Sequence, residues 1–121
     1  MDNFMLLELL SRKYPGFRAW LAQRFTGLIV AIYSVILVVR LICVQPNSFE
    51  TWQRVFQPWW MRVLSILFWL SLSMHAWLGI RDVLKDYVPN IAVRGVAIKV
   101  VIILLWAYLV WAMWLFTAFF Y

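Results

Sequence analysis

Apolar positions fall into three long runs, broken by two short polar stretches. The first run is Phe25 to Cys43, the second Val63 to Ile80 and the third Val96 to Phe120. Each holds about 18 to 25 residues, where roughly 20 cross the hydrocarbon core of a bilayer as a helix. Three transmembrane helices in one domain, residues 1–121, follow: an all-α membrane protein. No internal repeat is present, and three spans do not divide into two inverted halves, which argues against a repeat-built transporter.

Other local signals refine the elements. The second helix should outlast the membrane, because Arg81 to Tyr87 contains no breaker and Pro89 disfavours helix only at Val88. It is therefore extended to Tyr87. Pro46 and Pro58 mark helix edges around the first loop, Val44 to Met61. That loop carries Phe49, Trp52, Phe56, Trp59 and Trp60, a composition suited to the headgroup level of a membrane. Phe4 to Leu10 reads as an interfacial helix or docking segment, with a loose tail as the alternative. Asp2 and Glu8 stand where a secretory leader would be basic, so no signal peptide is expected.

Composition supports the same class. Hydrophobic residues make up 66% and charged residues 13% of the 121 positions, whereas a soluble domain has about 45–50% apolar and about 25% charged. The net charge of +6 is not a nucleic-acid patch, since the cations flank the spans. Arg12, Lys13, Arg18 and Arg24 precede the first span; Arg81, Lys85, Arg94 and Lys99 surround the second loop. Only Arg40, Arg54 and Arg62 lie on the other side. This asymmetry predicts a cytoplasmic N-terminus and a C-terminus outside. Arg40 and Lys99, near span ends, can snorkel outward. Cys43 is the sole cysteine, which leaves neither an intrachain disulfide nor a cysteine cluster for iron and sulfur.

His75 is the one histidine and the one ionisable side chain in the second run. A titratable group at that depth is by default a functional candidate, and histidine is an axial ligand of haem iron. One histidine serves one face, so a six-coordinate haem would need a second ligand from another chain. Ser71, His75, Leu78, Gly79 and Asp82 share a helix face, and small residues on either side of His75 admit a neighbouring helix or a flat macrocycle. Haem ligation, ordinary helix packing and proton relay all remain open on these residues alone. Arg24 enters the first span on the side of His75 and can meet a haem propionate or act as a plain positive anchor. Tyr87 can hydrogen-bond a quinone oxygen with Asp86 passing protons, or the two can be an interfacial anchor and a solvated charge.

The segment His75-Ala76-Trp77-Leu78-Gly79-Ile80, then Asp86-Tyr87 and Arg94, resembles the small hydrophobic membrane-anchor subunit of succinate dehydrogenase. In bacteria that is the D subunit of succinate:quinone oxidoreductase, a b-type cytochrome component of the inner membrane. The resemblance implies a heterotetramer of respiratory complex II, serving both aerobic respiration and the tricarboxylic acid cycle. A flavoprotein subunit oxidises succinate, an iron–sulfur subunit carries electrons, and two anchors hold haem b between them and help form a ubiquinone site. It implies that His75 is a haem axial ligand, with the second from the other anchor. Arg24 then lies near the propionates, and Tyr87 with Asp86 lies at the quinone. The chain itself would not catalyse succinate oxidation. The alternatives are a fumarate reductase anchor and a haem-free structural or transport subunit.

Overall fold

The computed structural model describes residues 2–118. It contains α1 (Asp2–Lys13), α2 (Phe17–Val44), α3 (Phe49–Phe56), α4 (Trp59–Tyr87) and α5 (Ile91–Ala118), with no strand among the described residues. The three long helices have 28, 29 and 28 residues. At about 1.5 Å per residue each exceeds a ~30 Å hydrocarbon core, so their ends extend to the interfaces. All three are long and apolar enough to cross a membrane. The predicted end of the third span at Phe120 lies outside the described residues.

All three long helices start earlier than the apolar runs, α4 at Trp59 just after Pro58. α2 begins at Phe17, because Arg18, Gln23 and Arg24 interrupt hydropathy without opposing helix. Gly16 precedes it with φ 86°, a left-handed conformation that a Cβ would strain. α5 begins at Ile91, where the Asn90 side-chain oxygen accepts from the backbone N–H groups of Ala92 (3.0 Å) and Val93 (3.3 Å), an N-cap. α4 ends at Tyr87, as its sequence predicts, with Val88 extended ahead of Pro89.

α4 is the central helix: α2 and α5 pack on it rather than on each other. Its inner face carries Met61, Ser65, Ser71 and Leu78, all buried. Ser65, small, lets α2 approach closely there. Ser65 donates to the Met61 carbonyl at 2.7 Å, which uses its hydrogen, so Tyr33 of α2 donates to Ser65 Oγ at 2.6 Å. The Tyr33 ring also stacks on Phe68, with centroids 4.4 Å apart. Most other large apolar side chains of the long helices face outward, as lipid or partner helices require.

The first loop is more ordered than its sequence suggests. It contains α3, which opens on a reciprocal cap. Thr51 N–H donates to Ser48 Oγ at 3.3 Å, and Ser48 N–H donates to Thr51 Oγ1 at 2.9 Å. Val55 seats α3 in the bundle with no exposed surface. Arg40 does not snorkel outward. Its guanidinium donates to the carbonyls of Arg54 (2.8 Å) and Val55 (3.3 Å) and lies 5.6 Å from the centroid of the Trp60 ring. The reason is the unfilled acceptors at the C-terminal end of α3, which a rigid fork of donors can satisfy. Phe49, Trp52, Trp59 and Trp60 are exposed, in keeping with an aromatic belt.

Candidate functional site

The first half of α2 packs against the second half of α4 around His75. Gln23, Thr26 and Gly27 recur at three and four residues, so they share one face of α2. His75 of α4 rests on that face, half-buried. Its Nδ1 lies 3.2 Å from the Gln23 carbonyl oxygen and 3.3 Å from Thr26 Oγ1. The Thr26 hydroxyl donates to the Ala22 carbonyl at 2.7 Å, leaving its oxygen to accept. With an acceptor on both contacts, Nδ1 is the donor, so in the neutral tautomer the lone pair lies on Nε2. Nε2 makes no hydrogen bond among the described residues.

Gly27 lets the imidazole approach α2 closely. A Cβ built there would lie 3.3 Å from His75 Cε1 and 3.6 Å from Nδ1. One turn along, a Cβ at Gly79 would meet Gln23 Nε2 at 3.5 Å. The small residues flanking His75 are thus used in part for close helix packing, with Ser71 and Leu78 buried on the same face.

A cavity of about 740 Å³ opens beside the ring. His75, Arg24, Arg81, Asp82 and Lys85 line it together with Gln23 and Gly27. Arg24 is exposed, with its guanidinium carbon 5.7 Å from the centroid of the Trp20 ring, and it makes no ion pair among the described residues. Arg81 Nη2 lies 3.5 Å from Asp82 Oδ1, while its buried Nε has no hydrogen-bond partner among the described residues. Three cations facing one carboxylate give the cavity a net positive wall, suited to carboxylates of a ligand. The residues fit a haem in this respect: a histidine, a side-chain-free position at Gly27 and three cations line one cavity.

The structure therefore brings His75 and Arg24 to one cavity. It does not bring Asp86 and Tyr87 there. Both are exposed at the last turn of α4, Tyr87 at 78%, about 18 Å along the helix from His75 at 1.5 Å per residue. The sequence reading missed Gln23 and Thr26, whose only signal was their spacing with Gly27, and did not assign Arg81 or Lys85 to the site.

Residues 8–119 match the family model described as succinate dehydrogenase/fumarate reductase transmembrane subunit. The chain belongs to that family. A relative from Coxiella burnetii, named succinate dehydrogenase hydrophobic membrane anchor subunit, is 35% identical over 97 residues, covering 80% of this chain and 84% of its own. A relative of the same name from Rickettsia felis is 32% identical over 97 residues, covering 78% of each. Another, from Rickettsia conorii, is 31% identical over 91 residues, covering 71% and 69%. As a member of the transmembrane subunit family, the chain is a multi-pass membrane protein, in agreement with its three apolar helices.

Proposed function

We propose that this chain anchors a succinate dehydrogenase to the membrane, supplies one axial ligand of a haem b through His75 Nε2, and completes part of a ubiquinone-reduction site. The observation that carries the ligand assignment is the pair of acceptors on His75 Nδ1. A metal-bound histidine characteristically donates its other ring N–H to a carbonyl or similar acceptor, which fixes ring and tautomer.

In this reading a second anchor subunit would supply the other ligand, and flavoprotein and iron–sulfur subunits would dock on the side of Arg24 and Tyr87. That side is cytoplasmic by the distribution of cations. Arg24 would hold a propionate, with Arg81 and Lys85 in the same positive wall. When bound, the haem supplies a one-electron carrier between the anchors. Tyr87 offers its O–H to a quinone carbonyl oxygen and orients the ring. Asp86, exposed beside it, takes protons from solvent and passes them towards the reduced oxygen. The exposure of Tyr87 suits a pocket completed by other subunits. The succinate dehydrogenase names of the relatives favour this direction over fumarate reduction.

The test is a difference spectrum of the complex purified through a tag on this chain. Succinate-reduced minus oxidised absorption should show a b-type haem band with flavin and iron–sulfur bleaching. A haem band obtained only with dithionite would detach the chain from succinate oxidation. An intact preparation without cofactor signals would overturn the haem assignment.

A further inference from the structure

We propose that Thr26 is a positioning residue for the haem ligand: together with the Gln23 carbonyl it holds the proton on His75 Nδ1 and sets how strongly Nε2 donates to iron. The inference rests on His75 being the ligand. Thr26 is buried, 5% exposed. Its hydroxyl hydrogen goes to Ala22 at 2.7 Å, with Gln23 O a longer second acceptor at 3.2 Å. A threonine hydroxyl has one hydrogen and two lone pairs. With the hydrogen engaged in its own helix, a lone pair is what it offers His75.

The Gln23 carbonyl is a shared acceptor. It serves the Thr26 hydroxyl and the imidazole at 3.2 Å each, besides its place in the helix ladder. A carbonyl oxygen has two lone pairs, so it alone holds the imidazole weakly. Thr26 Oγ1 is the acceptor with capacity to spare. Gly27 closes the socket by letting the ring edge sit against the α2 backbone. Turning the ring over would put a carbon where Nδ1 now meets both oxygens. An N–H donated to an acceptor raises the basicity of a ligating imidazole. Greater donation from Nε2 favours ferric over ferrous iron, so removing the Thr26 oxygen should raise the haem potential.

The experiment uses the purified complex carrying Thr26→Val, Thr26→Ala or Thr26→Ser, with His75→Ala as control. Haem is titrated potentiometrically, and its low-spin EPR signal is recorded. Thr26→Val keeps the shape and loses the acceptor. The expected change is about tenfold in the ratio of ferric to ferrous affinity, a rise of about 59 mV for one electron. Thr26→Ala, which leaves a smaller side chain, should move in the same direction and carries the test if valine disturbs assembly. Thr26→Ser keeps the oxygen and should titrate with the parent. A parental potential in the valine and alanine variants overturns the proposal, as does a serine variant shifted as far as valine. An unchanged signal in His75→Ala overturns the ligand assignment itself. A changed signal there, with an unmoved Thr26→Val, overturns only the role of Thr26.

Discussion

Gly27 and His75 are in contact across the α2–α4 interface so closely that a methyl group on Gly27 would lie 3.3 Å from the imidazole Cε1. The imidazole must give by a few tenths of an ångström if alanine replaces the glycine, because a packed interior transmits such displacements.

Gly27→Ala should therefore retain haem while shifting its low-spin EPR signal, and Gly27→Leu should lower haem content relative to flavin. Haem-to-flavin ratios in purified complex check this. Full haem content with an unshifted signal in both variants would show that the ring does not need this gap.

Tyr33 and Ser65 should couple energetically. Tyr33→Phe removes the donor that reaches Ser65 Oγ, while Ser65 keeps its own bond to Met61. Hydrogen bonds between membrane helices contribute about 0.6 kcal/mol on average, up to about 1.7. A double-mutant cycle of Tyr33→Phe and Ser65→Ala, read by unfolding in detergent, should give a coupling in that range. Strict additivity would mean that stacking of Tyr33 on Phe68 does the holding.

Arg40 should hold the end of α3 in place. Arg40→Ala leaves the Arg54 and Val55 carbonyls without their guanidinium donor. Hydrogen bonds to charged groups contribute about 1.5–3 kcal/mol, reduced here by partial exposure. Amide hydrogen exchange across residues 49–56 should accelerate in Arg40→Ala and recover only in part in Arg40→Lys, which lacks the planar fork. Exchange at the parental rate in both variants would remove Arg40 from this role.

Tyr87→Phe should slow quinone reduction about twofold to tenfold, the rate equivalent of one hydrogen bond of roughly 0.5–1.5 kcal/mol. Because Tyr87 is 78% exposed in this chain, the substitution costs little packing within it. Assembly should survive, as read by retained flavin and iron–sulfur content. Parental quinone kinetics would count against Tyr87 as a quinone contact.

The candidate site was only partly legible beforehand. His75 stood out because charge is scarce in an apolar run, and Arg24 because it enters the neighbouring span at similar depth. Gln23 and Thr26 did not, since a polar residue on a membrane helix faces lipid, partner or ligand according to the rotation of that helix. α3 was hidden for a related reason. Its eight residues have no long apolar period, and its stability depends on Val55 burial and on Arg40, a residue of another helix.

The sequence by itself determined the three long helices, the extension of α4 to Tyr87 and the place of His75 within the second apolar helix. Those depend on local backbone bonding, on apolar length against a bilayer and on where proline blocks the helix. Only the tertiary structure decided that His75 Nδ1 meets Gln23 and Thr26, and that Arg81 and Lys85 share a cavity with Arg24. It also decided that Tyr87 stands apart from that cavity. These follow from how two helices are rotated and offset against each other. Many small packing contacts across some fifty residues of chain fix that offset, and no local pattern encodes it.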